Sequence, residues 1–227
     1  MAVLLTAAML LSACAGSDAV AERVMPEAGN VQTTAEPSAT QQPKRSFEVI
    51  GSEIRDISVG SKTVVYDAAD YYNPEWTAWA GNLTVEGDAL FFTEGAVFSD
   101  GVSCICDTQD LGAAYAVVRT DIDGANRTVL VSKTVPTGYW DIALLGGRVF
   151  FVDGRDDSVT VGYVSRDGGE QGYLDIASAA GEGAVCANAL LITADDGLAI
   201  TADFVLADGT RLSRNLLVNE DLTVTVL

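Results

Sequence analysis

The sequence predicts an all-β chain, an array of repeated antiparallel sheets in about four units. Three observations carry this. From Phe47 onward, short runs of Val, Leu, Ile, Phe and Thr are cut by Gly and Asp, and no helical periodicity persists over three turns. A four-residue signature recurs along those runs. Asp-Gly pairs fall between them, the chemistry of tight hairpins, whose turns need positive φ.

The clearest strands are Ala89-Leu90-Phe91-Phe92-Thr93, Thr128-Val129-Leu130-Val131, Val149-Phe150-Phe151-Val152 and Leu222-Thr223-Val224-Thr225-Val226. The signature is an acidic or amide residue followed by apolar, small, apolar. It appears at Asp56-Ile57-Ser58-Val59, Asn82-Leu83-Thr84-Val85, Asp141-Ile142-Ala143-Leu144 and Asp221-Leu222-Thr223-Val224, with a weaker copy at Glu182-Gly183-Ala184-Val185. After most copies a turn leads into an apolar strand: Gly60-Ser61, Gly87-Asp88, Gly146-Gly147 and Ala187-Asn188 play that part. Asp167-Gly168 and Asp208-Gly209 each lie 26 residues after their unit start, whereas Asp123-Gly124 lies 41 after Asn82. The Asn82 unit therefore carries 15 extra residues, between Phe92 and Tyr115. Unit spacing from Asp141 to Glu182 is 41, near the length of a four-stranded propeller blade.

The stretch Arg119-Thr120-Asp121-Ile122-Asp123-Gly124-Ala125-Asn126-Arg127-Thr128-Val129-Leu130-Val131 resembles the outer hairpin of YWTD-type β-propellers, the class found in low-density-lipoprotein-receptor ectodomains. Phe91-Phe92-Thr93-Glu94 and Phe150-Phe151-Val152-Asp153 sit where that family places its Tyr-Trp-Thr-Asp. The resemblance spans roughly Asp56 to Leu227 and implies a partial or small β-propeller-like fold. The family closes six blades; this chain reads as three full units and two partial ones, and it ends on the first strand of a new unit. That last strand either completes the sheet begun by the N-terminal strands, or the chain is a fragment or an open twisted stack.

The first residues give an address. Met1 to Ala13 is uncharged and apolar, too short for the roughly 20 residues that span a bilayer. It suits a signal-peptide core. Leu11-Ser12-Ala13-Cys14 resembles the lipobox of bacterial lipoproteins. The resemblance implies cleavage before Cys14, a lipid on Cys14, and anchoring outside the cell membrane. Residues 14–46 then read as a linker: three of the five prolines lie there, and the first aromatic residue in the chain is Phe47. Such a stretch buries too little apolar surface to offset its ordering entropy. The expected organisation is signal peptide 1–13, linker 14–46 and β-domain 47–227.

Composition excludes several function classes. The net charge of −19 repels phosphate backbones, so no nucleic-acid partner is expected. The absence of histidine removes the commonest general base and transition-metal ligand. With Cys14 lipidated, three cysteines remain, too few for a zinc site without histidine. Cys104 and Cys106 are one residue apart, so a bond between them would be strained. A bridge from one of them to Cys186 is chemically easier, and free thiols in a mobile loop are the alternative. Asp121, Asp123 and Asn126 fail the calcium-loop pattern, because Gly124 falls fourth where that loop needs glycine sixth.

Two stretches are candidate contact surfaces: the aromatic loop of Tyr71, Tyr72 and Trp76, and the 15-residue excess with Asp100, Asp107 and Asp110. Hydrolase elbows, histidine triads and P-loops are absent from the sequence. The expectation is therefore a membrane-anchored binding or scaffolding module of the cell envelope, not an enzyme, without cofactor or metal, recognising a protein or cell-wall ligand. The alternative is a carboxylate-dependent enzyme on cell-wall glycan or peptide, or a truncated propeller without its own activity. Two carboxylates within about 5–10 Å beside exposed aromatics would favour the enzyme.

Overall fold

Each alternating run pairs with the next through a tight turn, and the result is four sheets in chain order. The computed structural model describes residues 45–58, 60, 62–98, 113–134, 138–155, 157–194 and 197–227. The first sheet holds β1 (Phe47–Ile50), β2 (Glu53–Asp56) and β3 (Thr63–Asp67). The second holds β4 (Trp76–Glu86), β5 (Ala89–Phe98), β6 (Ala113–Asp121) and β7 (Thr128–Lys133). The third holds β8 (Tyr139–Leu145), β9 (Arg148–Arg155), β10 (Ser158–Ser165) and β11 (Gln171–Leu174). The fourth holds β12 (Val185–Ala194), β13 (Gly197–Val205), β14 (Arg211–Val218) and β15 (Val224–Val226). All pairings are antiparallel between sequence neighbours. No α-helix occurs among the described residues. The expected all-β, propeller-like array of about four units is the architecture observed.

Alternation gives each sheet two faces, and both faces of the middle sheets are apolar because each is covered by a neighbour. Leu90 and Phe92 of β5 point to the first sheet, where they meet Ile54, Tyr66 and Ala68. Phe91, one position over, points the other way and meets Ile142, Val149 and Phe151 of the third sheet. Phe150 and Val152 in turn pack on Leu191, Leu198, Ile200 and Phe204 of the fourth. The double phenylalanines are thus the mark of a strand buried on both sides.

The true repeat unit differs from the one expected. Ala89–Gly95, Arg148–Gly154 and Gly197–Asp203 open the second strands of successive four-stranded sheets, so the spacings are 59 and 49 rather than 41. Ala187-Asn188 is not a turn; it lies inside β12, where a bulge falls between Cys186 and Asn188. Asp221-Leu222-Thr223 is a hairpin turn, with the Thr223 N–H donating to Asp221 Oδ1 at 3.0 Å. The strand after it, β15, pairs with β14. It neither opens a new unit nor completes the first sheet. Asp56 likewise ends β2 and accepts the Ser58 N–H at 2.9 Å. All three Asp-Gly turns carry a glycine at positive φ. Two are equivalent, Asp123-Gly124 between β6 and β7 and Asp167-Gly168 between β10 and β11. Asp208-Gly209 joins β13 to β14, one strand earlier in its sheet. The equivalent turn of the fourth sheet uses Leu222, at φ 69°, in the glycine position.

Two copies of the signature do lie where strands begin the four-stranded sheets. Asn82 Nδ2 donates to the Trp140 carbonyl at 2.8 Å, crossing from β4 to β8. Asp141, 59 residues on, accepts the Leu191 N–H at 2.7 Å, crossing from β8 to β12. The amide or acid at this position ties each first strand to the next. Burial raises the Asp141 carboxyl above its ordinary range, against the hydrogen bonds that lower it.

Candidate functional site

The second strands of the second and third sheets each carry an acid followed by glycine at the same place in the repeat: Glu94-Gly95 and Asp153-Gly154. Strand alternation places both acids on the face toward the preceding sheet, in line with Phe92 and Phe151. Both are buried. The glycine after each one lies under an indole: a Cβ on Gly95 would meet Trp79 at 2.8 Å, and one on Gly154 would meet Trp140 at 2.0 Å. Trp79 and Trp140 are therefore packing residues on the first strands.

The two acids differ in what surrounds them. Glu94 is fully buried. Arg127 pairs with it, Tyr66 donates its hydroxyl to it, and Tyr72 donates at 3.0 Å. Arg127 Nε also donates to the Tyr66 hydroxyl at 2.9 Å, and its guanidinium lies 4.4 Å from the Tyr71 ring centroid. Tyr71 stacks on Tyr66 with centroids 5.3 Å apart. This cluster bolts the first sheet to the second and engages both oxygens of a carboxylate that has no exposed surface.

Asp153 lies instead just behind the wall of an open cleft, one hydrogen bond from the lining residue Tyr173. Lys133 of β7 pairs with Asp153 and donates to the Gly154 carbonyl at 2.7 Å. Tyr173 of β11 donates its hydroxyl to Asp153 Oδ2 at 3.1 Å, and Arg155 Nε lies 3.9 Å from the same oxygen. The cleft is about 620 Å³ and is lined by Tyr139, Phe151, Tyr163 and Tyr173 together with the Val129–Ser132 segment. Tyr173 is 54% exposed, so its ring is available to a ligand. Burial first, then the negative charge of Asp153, raises its hydroxyl pKa above the ordinary tyrosine value. The phenol stays protonated at neutral pH. Arg155 lies over the Tyr173 ring at 5.1 Å and Arg148 over Tyr163 at 5.8 Å. Lys133 and Arg155, two of the chain's 13 basic residues, thus lie on Asp153 beside this cleft, whereas Arg148 is on the other face of the third sheet, paired with Glu170 and donating to the Glu220 carbonyl at 3.1 Å.

A second open cleft of about 670 Å³ lies at the other end of the sheets, lined by Glu86, Asp88, Asp121, Asp123 and Asp167 with Arg119 and Arg166. Its lining aromatic, Phe91, is buried. The expected combination of paired carboxylates with exposed aromatics is therefore divided: acids border one cleft, aromatics the other.

Of the residues singled out in the sequence, Tyr71 is 48% exposed but engaged with Tyr66 and Arg127, Tyr72 holds Glu94, and Trp76 begins β4. Cys186 is buried and in no disulfide among the described residues; its thiol, pushed up to about 11 by burial, donates to the Asn188 carbonyl at 3.1 Å. Cys14, Cys104, Cys106, Asp100, Asp107 and Asp110 lie outside the described residues. Sequence reading missed Lys133, Arg155 and Tyr173. The signal was present only at Asp153, through its likeness to Glu94; the partners come from three different strands.

No protein-family model matches the chain, and no curated protein matches it. Solved structures do. An oligogalacturonate lyase in complex with manganese superposes with a TM-score of 0.54 at 15% identity, over 81% of this chain and 50% of the lyase. A bifunctional GH43-CE protein of Bacteroides eggerthii gives a TM-score of 0.36 at 11% identity, over 81% of this chain and 27% of that one. A nidogen/laminin complex gives 0.30 at 10% identity, over 74% and 91%. Of these three, the lyase alignment is close enough to carry an argument, and at that identity it speaks for the fold. The chain spans about half the length of the lyase. The fold is thus one an enzyme uses, and this corrects the expectation of a non-enzyme. That expectation rested on missing motifs, and a site assembled from three strands leaves no motif. Among the described residues, no group of three or more Cys, Asp or Glu side chains comes together that could hold an ion such as the lyase's manganese.

Proposed function

We propose that the domain is a carboxylate-dependent enzyme on a glycan carrying uronic-acid groups, working in the cleft between the second and third sheets. The observation that supports this is the Tyr173–Asp153–Lys133 constellation, which meets an aromatic cleft through Tyr173. Aromatic walls with a few convergent polar groups suit a sugar chain. Lys133 and Arg155 suit a carboxylate on that sugar. Elimination across a uronic-acid ring needs three things: a cation on the carboxylate, a base for the proton on the adjacent carbon, and an acid for the departing oxygen. Asp153 accepts the carbon-bound proton, Tyr173 gives its proton to the leaving oxygen, and the ring gains a double bond. The likeness of fold to a lyase on oligogalacturonate is in keeping with this, as analogy. The chain's overall charge favours short oligosaccharides over long polyanions.

The same reading keeps the protein outside the cell, tied to the membrane by a lipid on Cys14 and a linker to residue 46, on the strength of Leu11-Ser12-Ala13-Cys14. Phe91-Phe92-Thr93-Glu94 and Phe150-Phe151-Val152-Asp153 support a YWTD-type affiliation. Incubation of the chain with a panel of oligouronides tests the activity. The ultraviolet absorbance of an unsaturated product is expected to rise. Asp153→Asn and Tyr173→Phe should each lower kcat by about 100-fold or more with an unchanged circular dichroism spectrum. Absence of turnover on every uronide, or turnover that both variants retain, contradicts the proposal.

A further inference from the structure

The third sheet brings its acid and its proton donor to one side of the cleft. Register sets Phe151, Gly162 and Tyr173 in one row across β9, β10 and β11. Asp153, two residues beyond Phe151, shares that face. Tyr173 leans out of its row and donates to Asp153 Oδ2 at 3.1 Å, while Lys133 holds Oδ1. Asp153 is 5% exposed and Tyr173 is 54% exposed. The carboxylate therefore meets the cleft through one atom, the phenol oxygen.

The rest of the lining supplies no second acid or base. The facing wall, on β7, is Val129, Leu130, Val131 and Ser132, three aliphatic side chains and a hydroxyl. Tyr139 is buried against Phe151, with ring centroids 5.1 Å apart. Tyr163 points to the other face of its sheet: it shares a row with Phe150 and Gly172, and a Cβ on Gly172 would meet its hydroxyl at 2.5 Å.

This one-sidedness selects among uronic acids. In the elimination a proton leaves C5, the carbon that bears the carboxylate, and the bridging oxygen leaves C4. Where the two lie on opposite faces of the ring, base and acid must stand on opposite walls. Where they share a face, one phenol serves both. We infer that the cleft takes uronic acids of the second kind, glucuronate and mannuronate, and not galacturonate or guluronate. The inference rests on the elimination proposed above. It departs from the sugar in the lyase's name, since the likeness at 15% identity is one of fold. Transfer to Asp153 runs through the phenol. The phenol oxygen takes the C5 proton as its own proton passes to Asp153, and the electron pair of the C–H bond becomes the C4–C5 double bond. The C4–O pair leaves with the bridging oxygen, which takes a proton from Tyr173 as Asp153 returns the one it holds. Arg155, over the Tyr173 ring at 5.1 Å, sets a cation for the C5 carboxylate on the same wall.

Two epimer pairs, incubated with the whole chain, test this. Oligomannuronate and oligoguluronate differ in configuration at C5, and the rings of oligoglucuronate and oligogalacturonate differ at C4, with equal charge per residue in all four. The ultraviolet absorbance of the unsaturated product gives the rates. Wherever a pair is turned over, the mannuronate or glucuronate chain is expected to show a kcat/KM at least about 100-fold above its epimer, the low end of what a placed acid or base contributes. A smaller preference, or one for guluronate or galacturonate, overturns the inference and leaves the elimination standing. Turnover of none of the four removes the elimination itself, and this inference with it. Tyr173→Phe is expected to lose the preferred turnover; a Tyr173→Phe chain that keeps the preference at the wild-type rate overturns the inference as well.

Discussion

At the scale of single residues, the contrast between Glu94 and Asp153 organises the molecule. They are equivalent in the repeat, yet one is sealed and the other is joined to a cleft through Tyr173. The difference lies in the neighbours. Glu94 meets the first sheet, whose Tyr66 and the following Tyr72 close over it. Asp153 meets β7, which contributes a lysine and leaves an opening beside Tyr173. Removing Arg127 would strand the Glu94 charge in the interior. Arg127→Met is expected to cost about 3 kcal/mol in urea unfolding, the lower end for a broken buried pair because Arg127 is itself 20% exposed. Adding Glu94→Gln to that variant should recover part of the loss, since the uncompensated charge goes with it. A cost for Arg127→Met below about 1 kcal/mol would show that the pair does not hold the first sheet in place.

At the scale of elements, the turns decide how the sheets meet. Gly124, Gly168 and Gly209 share positive φ, so alanine at any of them carries a conformational cost of about 1 kcal/mol. Gly124 bears a second constraint: an added Cβ would lie 1.7 Å from the Val65 carbonyl oxygen, across the junction with the first sheet. Nothing lies within 4 Å of a Cβ on Gly209. Gly124→Ala is therefore expected to destabilise by about 2 kcal/mol more than Gly209→Ala in parallel denaturant titrations. Equal losses would mean that the turn does not abut β3.

The same turns show why the strands were legible and their grouping was not. Alternation and paired phenylalanines report burial directly, so β5 and β9 could be read from residue order alone. The acid-apolar-small-apolar signature could not be resolved into its two meanings. At Asn82 and Asp141 it marks a first strand tied to its neighbour, whereas at Asp56 and Asp221 the acid folds onto its own backbone in a turn. Both uses favour a short polar side chain before an apolar residue. The turn at Leu222 has the geometry of an Asp-Gly hairpin without its glycine, so the fourth sheet was divided one strand too early. The site was legible only at Asp153, because its partners Lys133 and Tyr173 are each 20 residues away in sequence, on other strands.

At the scale of the whole molecule, stacking four sheets in a row places two clefts at opposite ends of the second and third sheets. One gathers acids around Arg119 and Arg166, and the other gathers tyrosines around Lys133 and Asp153. Of these two, the second offers an exposed aromatic face together with a phenolic proton donor, Tyr173. The central claim is that a sugar chain lies there. Isothermal titration of a short oligouronide into the wild-type chain, Tyr173→Ala, Arg155→Ala and Tyr71→Ala tests it most directly. Tyr173→Ala and Arg155→Ala are expected to weaken binding by about tenfold each, the worth of one stacked ring or one charged contact. Tyr71→Ala, at the sealed Glu94 cluster, should leave the affinity unchanged. Affinity that survives both cleft substitutions, or that falls instead with Tyr71, would contradict the account.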